Sequence, residues 1–353
     1  MKAEVARRYR LGLVVGKFAP LHLGHEWLVQ QAAAQCERLL VLSYTKPEFE
    51  RCEIGRRRQW LATRFPQHEC LVIDDAWLTE VCKRRHITVR PMPTNCAEDA
   101  VQQHWLAWLL RDVLQRQPDA LFCSEAYGPP CAATLSQVFG RAVEAVVVDP
   151  ARVHVPISAT IIRQSPVSMR HWMAAEVGGA FVRRLVLLGG ESSGKTTLAQ
   201  ALAERLGTRW VSEYGRELWE QQGGLSEADL LRVAREQVLR EDAAACAVAS
   251  SRSACNWLVC DTSPLTTLGY SGWMFGRSDP ELVALAARSY DAAVLCAPDF
   301  PFVQDGTRQD AGFRVQQHAW YTERLEQGTT PWLAVGGSLS QRTTAVCEWL
   351  ERG

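Results

Sequence analysis

Lysine is scarce in this chain: only five of its 39 basic residues are lysines, so arginine carries most of the positive charge. No excess of either sign exists, because 39 acidic residues balance the basic ones. A balanced chain has no global field toward nucleic acid or an anionic membrane, so any phosphate-binding site must be local. The twelve cysteines, among them Cys36, Cys82, Cys123, Cys260 and Cys296, form no C-x-x-C pair and no cysteine/histidine spacing suited to zinc. They read as small core residues of a reducing, cytoplasmic compartment. Long apolar runs are missing as well. Leu11 to Val15 is too short for a signal-peptide core, and nothing approaches the ~20 residues needed to cross a bilayer. The expected partners are therefore small molecules, with no nucleic acid and no membrane, and homo-oligomer formation is left open.

The 353 residues, 47% of them hydrophobic, are too many for one ordinary core and fit two domains. The boundary is expected within Ser165 to Ala180, a stretch with a proline, small residues and Gly178-Gly179, giving domains at 1–170 and 181–353. Trp172 and Met173 in that stretch are suited to packing.

In the first half, apolar runs at Leu11 to Val15, Leu39 to Tyr44, Leu71 to Ile73, Ala120 to Cys123 and Val143 to Val148 read as buried strands. Helix-period segments at His25 to Gln35, Arg56 to Phe65 and Glu98 to Gln115 separate them. Such alternation predicts an α/β domain with a doubly wound parallel sheet, whose ligands bind beyond the carboxyl ends of the strands. Directly after the first strand stands Gly16-Lys17-Phe18-Ala19-Pro20-Leu21-His22-Leu23-Gly24-His25. Gly16 lets the backbone approach a phosphate, Lys17 supplies a point charge, and Gly24 opens a helix whose amides point at anions. His22 and His25, three residues apart, can face one triphosphate and donate hydrogen bonds as charge builds on its oxygens.

In the second half, Arg183 to Leu188 reads as a strand leading into Gly189-Gly190-Glu191-Ser192-Ser193-Gly194-Lys195-Thr196, then a helix from Thr197 to Leu206. This fits G-x-x-x-x-G-K-[ST]: the loop amides wrap phosphates, Lys195 reaches the β and γ oxygens, and the Thr196 hydroxyl binds Mg2+. Asn256 to Asp261 is a further strand, and Asp261 at its end either holds magnesium or acts as base on a substrate hydroxyl. Glu213-Tyr214-Gly215-Arg216-Glu217 follows a strand-like Arg209 to Val211 and offers a carboxylate, an aromatic face and a guanidinium for a sugar and a flat base. Asp291 to Cys296 and Trp332 to Val335 complete the strands, with a closing helix at Ser340 to Leu350. Between those strands, Phe302 to Arg314 is polar, and Arg308 and Arg314 are the candidate lid arginines over a transferring phosphoryl group. Trp60, Trp77, Tyr127 and Tyr214 are candidate stacking partners for a base.

G-x-F-x-P-x-H-x-G-H resembles the first signature of the nucleotidyltransferases that adenylylate or cytidylylate small phosphates. Ile157-Ser158-Ala159-Thr160-Ile161-Ile162-Arg163 matches their second, I-S-x-T-x-x-R. By that resemblance Ser158 and Thr160 sit at a helix start, Arg163 grips the ATP β and γ phosphates, and Arg57, one of three adjacent arginines, binds the substrate phosphate. With the downstream P-loop, EYGRE and Asp261-Thr262 in that order, the chain resembles the NadR family over almost its whole length. The resemblance implies a Rossmann-like nucleotidyltransferase domain followed by a P-loop kinase domain. The kinase would phosphorylate nicotinamide riboside with ATP, and the transferase would join nicotinamide mononucleotide to ATP, giving NAD and pyrophosphate. Only about ten residues precede the first strand, so the DNA-binding helix-turn-helix of some members is not expected. Alternatives are a nucleotidyltransferase for another small phosphate fused to a regulatory NTPase, or a non-catalytic NAD sensor.

Overall fold

The computed structural model describes residues 8–251, 253–301 and 310–352. The chain divides into two compact units, residues 1–177 and 178–353. The first is a five-stranded sheet of β1 (Tyr9–Val15), β2 (Cys36–Tyr44), β3 (Glu69–Ile73), β4 (Ala120–Cys123) and β5 (Glu144–Val147), in the order β3-β2-β1-β4-β5. Every pairing is parallel, and Val14 of β1 stands opposite Val41 on one side and Phe122 on the other. Helices cover the sheet, which is why its central strands are apolar in runs rather than in alternation. Leu13, Leu40, Leu42 and Leu121 are fully buried with Leu106, Leu110 and Leu135. Each such side chain stabilises the fold by ~1.5–3 kcal/mol.

Helix starts follow the sequence chemistry. Asp74 and Ser158 cap the helices Asp75–Arg85 and Ala159–Gln164 through their side-chain oxygens. The segment expected as one helix at Glu98 to Gln115 is α-helical over Asp99–Trp108 and widens to a π-helix over Leu109–Leu114, a departure that apolar periodicity does not register.

The second unit carries β6 (Arg183–Leu188), β7 (Trp210–Val211), β8 (Trp257–Asp261), β9 (Ala292–Cys296) and β10 (Trp332–Val335), again all parallel, in the order β10-β9-β6-β8-β7. Leu185 and Leu187 of β6 pack with the helix Lys195–Leu206, while Val186 and Leu188 pack on the other face with Ala245 and Val248 of the helix Glu227–Ala249. That helix starts at a capping box formed by Ser226 and Asp229. In each sheet the strand order reverses at a central strand, β1 or β6, and a glycine-containing loop leaves its carboxyl end there. Among the described residues no helix is long and apolar enough to cross a membrane.

Candidate active sites

The loop after β1 opens onto a cavity of about 550 Å³ in the first unit. Gly16, Lys17, Phe18, His22, His25, Ser158, Thr160 and Arg163 all line it, although the last three come from a segment some 140 residues downstream of the others. His22 is the N-cap of the helix Leu23–Gln35, and its Nδ1 accepts the Gly24 N–H at 3.1 Å. That bond assigns the ring proton of neutral His22 to Nε2, which remains a donor. The His22 and His25 rings stack with centroids 3.8 Å apart, and Phe18 meets His25 edge-on at 4.9 Å. Burial, helped by the Arg152 charge, lowers the pKa of His22 to about 4, and burial with the His22 charge lowers His25 well below its ordinary range. Both imidazoles are therefore neutral at pH 7 and present N–H dipoles, not full charges.

Positive charge comes from Lys17, Arg152 and Arg163. The Lys17 ammonium donates to the Asn95 carbonyl at 3.1 Å. The Arg163 guanidinium donates to Thr160 Oγ1 at 3.1 Å and to the Ala19 carbonyl, and its carbon lies 4.2 Å from the centre of the Phe49 ring. Ser158 caps its helix by accepting the Ile161 N–H at 3.3 Å.

Three expected residues fall elsewhere. Arg57 is fully buried, paired through both Glu48 oxygens at 2.6 Å, and donates to Ser43 Oγ and the Cys52 carbonyl. Ser43 in turn donates to the Lys17 carbonyl at 2.9 Å. Arg57 thus braces the loop after β1 from behind, and Glu48 supplies the counter-ion that a desolvated guanidinium needs. Trp60 is buried and Trp77 packs against the core, while Tyr127 alone of the first unit's stacking candidates lines the cavity. Trp27, which sequence reasoning passed over, also lines it, with its ring centroid 5.4 Å from that of His154.

In the second unit the loop after β6 has Gly189 at φ +144° and Gly194 at φ +80°, conformations open to glycine. Lys195 Nζ donates to the Gly189 and Gly190 carbonyls at 3.0 Å each, and Ser193 Oγ to the Gly190 carbonyl at 2.8 Å. Thr196 Oγ1, in the first turn of the helix Lys195–Leu206, donates to Asp261 Oδ2 at the end of β8 at 2.6 Å. Asp261 Oδ1 is buried without a partner, and burial raises the carboxyl's pKa. A hydroxyl and a desolvated carboxylate oxygen, both hard donors, suit Mg2+.

A cavity of about 350 Å³ adjoins this loop, lined by Gly189, Glu191, Lys195, Glu213 and Arg216 among others. Glu213 and Arg216 approach to 4.0 Å, and burial raises the Glu213 pKa. Ser192, Ser193, Gly194, Thr196, Asp261 and the exposed Thr197 do not line it. Two expectations change here. Tyr214 is packed with Leu218 and Val233 under the Arg240 guanidinium instead of facing the cavity. Arg314 is in the first turn of the helix Ala311–Gln327, buried, donating to the Phe300 carbonyl at 2.9 Å, so it is held in packed helix and not in a loop. Arg308 lies outside the described residues.

Tyr270 and Gln317, both unforeseen, close a ring on the loop. Gln317 Oε1 accepts the Glu191 N–H at 2.8 Å, Gln317 Nε2 donates to the Tyr270 hydroxyl at 3.1 Å, and that hydroxyl donates to Glu191 Oε1 at 2.8 Å. No local pattern marks either residue, since each sits inside an ordinary helix.

The fold and these loops define a two-unit α/β protein with a P-loop in its second unit. A family model described as an AAA domain matches residues 184–342. The trifunctional NAD biosynthesis/regulator protein NadR of Escherichia coli (strain K12) is 28% identical over 310 residues, 84% of this chain and 71% of that protein. A crystal structure of NadR protein in complex with NAD and AMP-PNP matches with a TM-score of 0.63 at 19% identity, covering 97% of this chain and 96% of that one. One in complex with NR matches with a TM-score of 0.63 at 18% identity, covering 97% and 95%. The chain is homologous to the NadR proteins.

Proposed function

We propose that the chain is a bifunctional enzyme of NAD biosynthesis. Its second unit phosphorylates nicotinamide riboside with ATP, and its first unit adenylylates the resulting mononucleotide with a second ATP, releasing NAD and pyrophosphate. The observation that carries this reading is the presence of two separate glycine-containing loops, each at a cavity in its own unit, in a homologue of NadR.

In the first unit, Lys17, Arg163 and His22, whose Nε2 carries the ring proton, line one cavity. They hold the triphosphate so that the mononucleotide phosphate attacks the α-phosphorus directly, and they meet the charge that grows on the departing pyrophosphate. No covalent enzyme intermediate is needed. In the second unit, Lys195 and the loop amides hold the β and γ phosphates, and Glu213 accepts a hydrogen bond from the acceptor's hydroxyl. Thr196 and Asp261 hold Mg2+, which when bound neutralises charge on the phosphate oxygens.

Purified protein incubated with nicotinamide riboside, ATP and magnesium, with products separated by chromatography, tests the proposal. Mononucleotide should appear first and NAD after it. Absence of riboside-dependent ADP would remove the kinase assignment, and absence of NAD from supplied mononucleotide would remove the transferase assignment.

A further inference from the structure

Two helices of the second unit, Pro264–Phe275 and Ala311–Gln327, are joined by side chains at two levels. Tyr321 donates to Thr266 Oγ1 at 3.0 Å, and Gln317 Nε2 donates to the Tyr270 hydroxyl at 3.1 Å. Thr266 and Tyr270 are four residues apart on one helix, and Gln317 and Tyr321 four apart on the other, so each pair shares a face. All four line the cavity beside the loop after β6.

The rung made by Gln317 and Tyr270 continues into that loop. Gln317 Oε1 accepts the Glu191 N–H at 2.8 Å, which fixes the oxygen end of its amide. The Tyr270 hydroxyl has a single proton and gives it to Glu191 Oε1 at 2.8 Å. Burial, with the charges of Glu191 and Glu213, raises the Tyr270 pKa, so the phenol keeps that proton. Gln317 is 1% exposed, whereas Glu191 and Tyr270 are partly exposed. The amide therefore acts on the loop from within the fold, and Glu191 is the member of the ring that an acceptor reaches. Its carboxylate has acceptor sites beyond the one that Tyr270 takes.

We infer that Tyr270 and Gln317 are positioning residues for phosphoryl transfer, holding the Glu191 carboxylate where it accepts a hydrogen bond from a hydroxyl of the acceptor molecule. This rests on the kinase reading above and adds a second carboxylate to Glu213 on the acceptor's side. Both residues act through Glu191, and the ring ties the loop that takes ATP to the wall that takes the acceptor.

The test measures ADP release with nicotinamide riboside and ATP, AMP-PNP binding by calorimetry, and thermal melts to confirm folding. Tyr270→Phe keeps the ring packing and loses only the hydroxyl. It should raise the KM for riboside about tenfold and leave AMP-PNP affinity within about twofold of wild type. Gln317→Leu also strands the Glu191 N–H, so it should weaken both ligands. The double variant should be no worse in kcat/KM for riboside than the poorer single variant, because the same ring is broken once. Glu191→Gln, which keeps an oxygen for Tyr270, should lose less than Glu191→Leu. Multiplying losses in the double variant, or a Tyr270→Phe protein that binds AMP-PNP and riboside equally poorly, would mean a merely structural role and overturn the inference. A folded Tyr270→Phe protein with the wild-type KM for riboside overturns it while leaving the kinase reading intact. Wild type that releases no riboside-dependent ADP ends the kinase reading and the inference with it.

Discussion

At the scale of single residues, His22 serves as helix cap and pH-sensitive group at once, and in the proposed reaction as a hydrogen-bond donor to phosphate. Its folded pKa of about 4 lies below the ordinary value of 6.5. The unfolded chain therefore takes up the proton first as pH falls. Stability is fully present above about pH 6.5, declines between there and about pH 4, and levels off below, with a loss of ~3 kcal/mol from this one group. Thermal melts of the first unit across that range should show the decline. His22→Asn, which retains a good cap, should shrink it, and an unchanged slope would assign the pH dependence to other groups. The residues of both loops were legible in the sequence because glycine, histidine, lysine and proline at fixed offsets form a local pattern. Their environments were not. Nothing in GRRRQW tells that Arg57 is sealed against Glu48, and nothing in EYGRE separates Glu213, which lines a cavity, from Tyr214, which packs away from it. Tyr270 and Gln317 were invisible because tertiary packing alone brings them to the loop.

Elements came out more completely. The ten strands of the described residues, including the short β7, fall where apolar runs between turn residues place them, and the central ones carry unbroken apolar runs because both faces are covered. The reading changes at Ala311 to Arg314, where polar composition suggested a loop and the helix Ala311–Gln327 begins, capped by Asp310. That helix has a consequence for the strand-loop-helix motif it backs. A Cβ on Gly190 would stand 2.6 Å from the Arg314 carbonyl oxygen, a backbone atom that cannot swing aside. Gly190→Ala should therefore displace the loop and weaken ATP-analogue binding by the second unit about tenfold or more, read by titration. Gly55→Ala makes the contrasting case. No atom lies within 4 Å of its added methyl group, and in the helix Ile54–Arg64 it should raise stability by ~0.5–1 kcal/mol.

Across the whole molecule, every proposed catalytic group of one cavity belongs to a single unit. His22→Ala should accordingly let mononucleotide accumulate without NAD, whereas Lys195→Ala should abolish use of the riboside and spare conversion of supplied mononucleotide. Chromatography of both reactions checks this, and loss of both activities from either folded variant would defeat the division of labour. The backbone ladder beneath the second cavity sets a further condition. Asp261 meets Thr196 because Leu187 is partnered with Asp261 along β6 and β8. Sliding one strand by a single residue moves the carboxylate ~3.3 Å and turns it to the far side of the sheet. The alignment of two neighbouring backbones is thus the ruler that sets the spacing between hydroxyl and carboxylate. Buried side chains such as Val186 and Cys260, which line neither cavity, govern that spacing as firmly as Thr196 and Asp261 themselves.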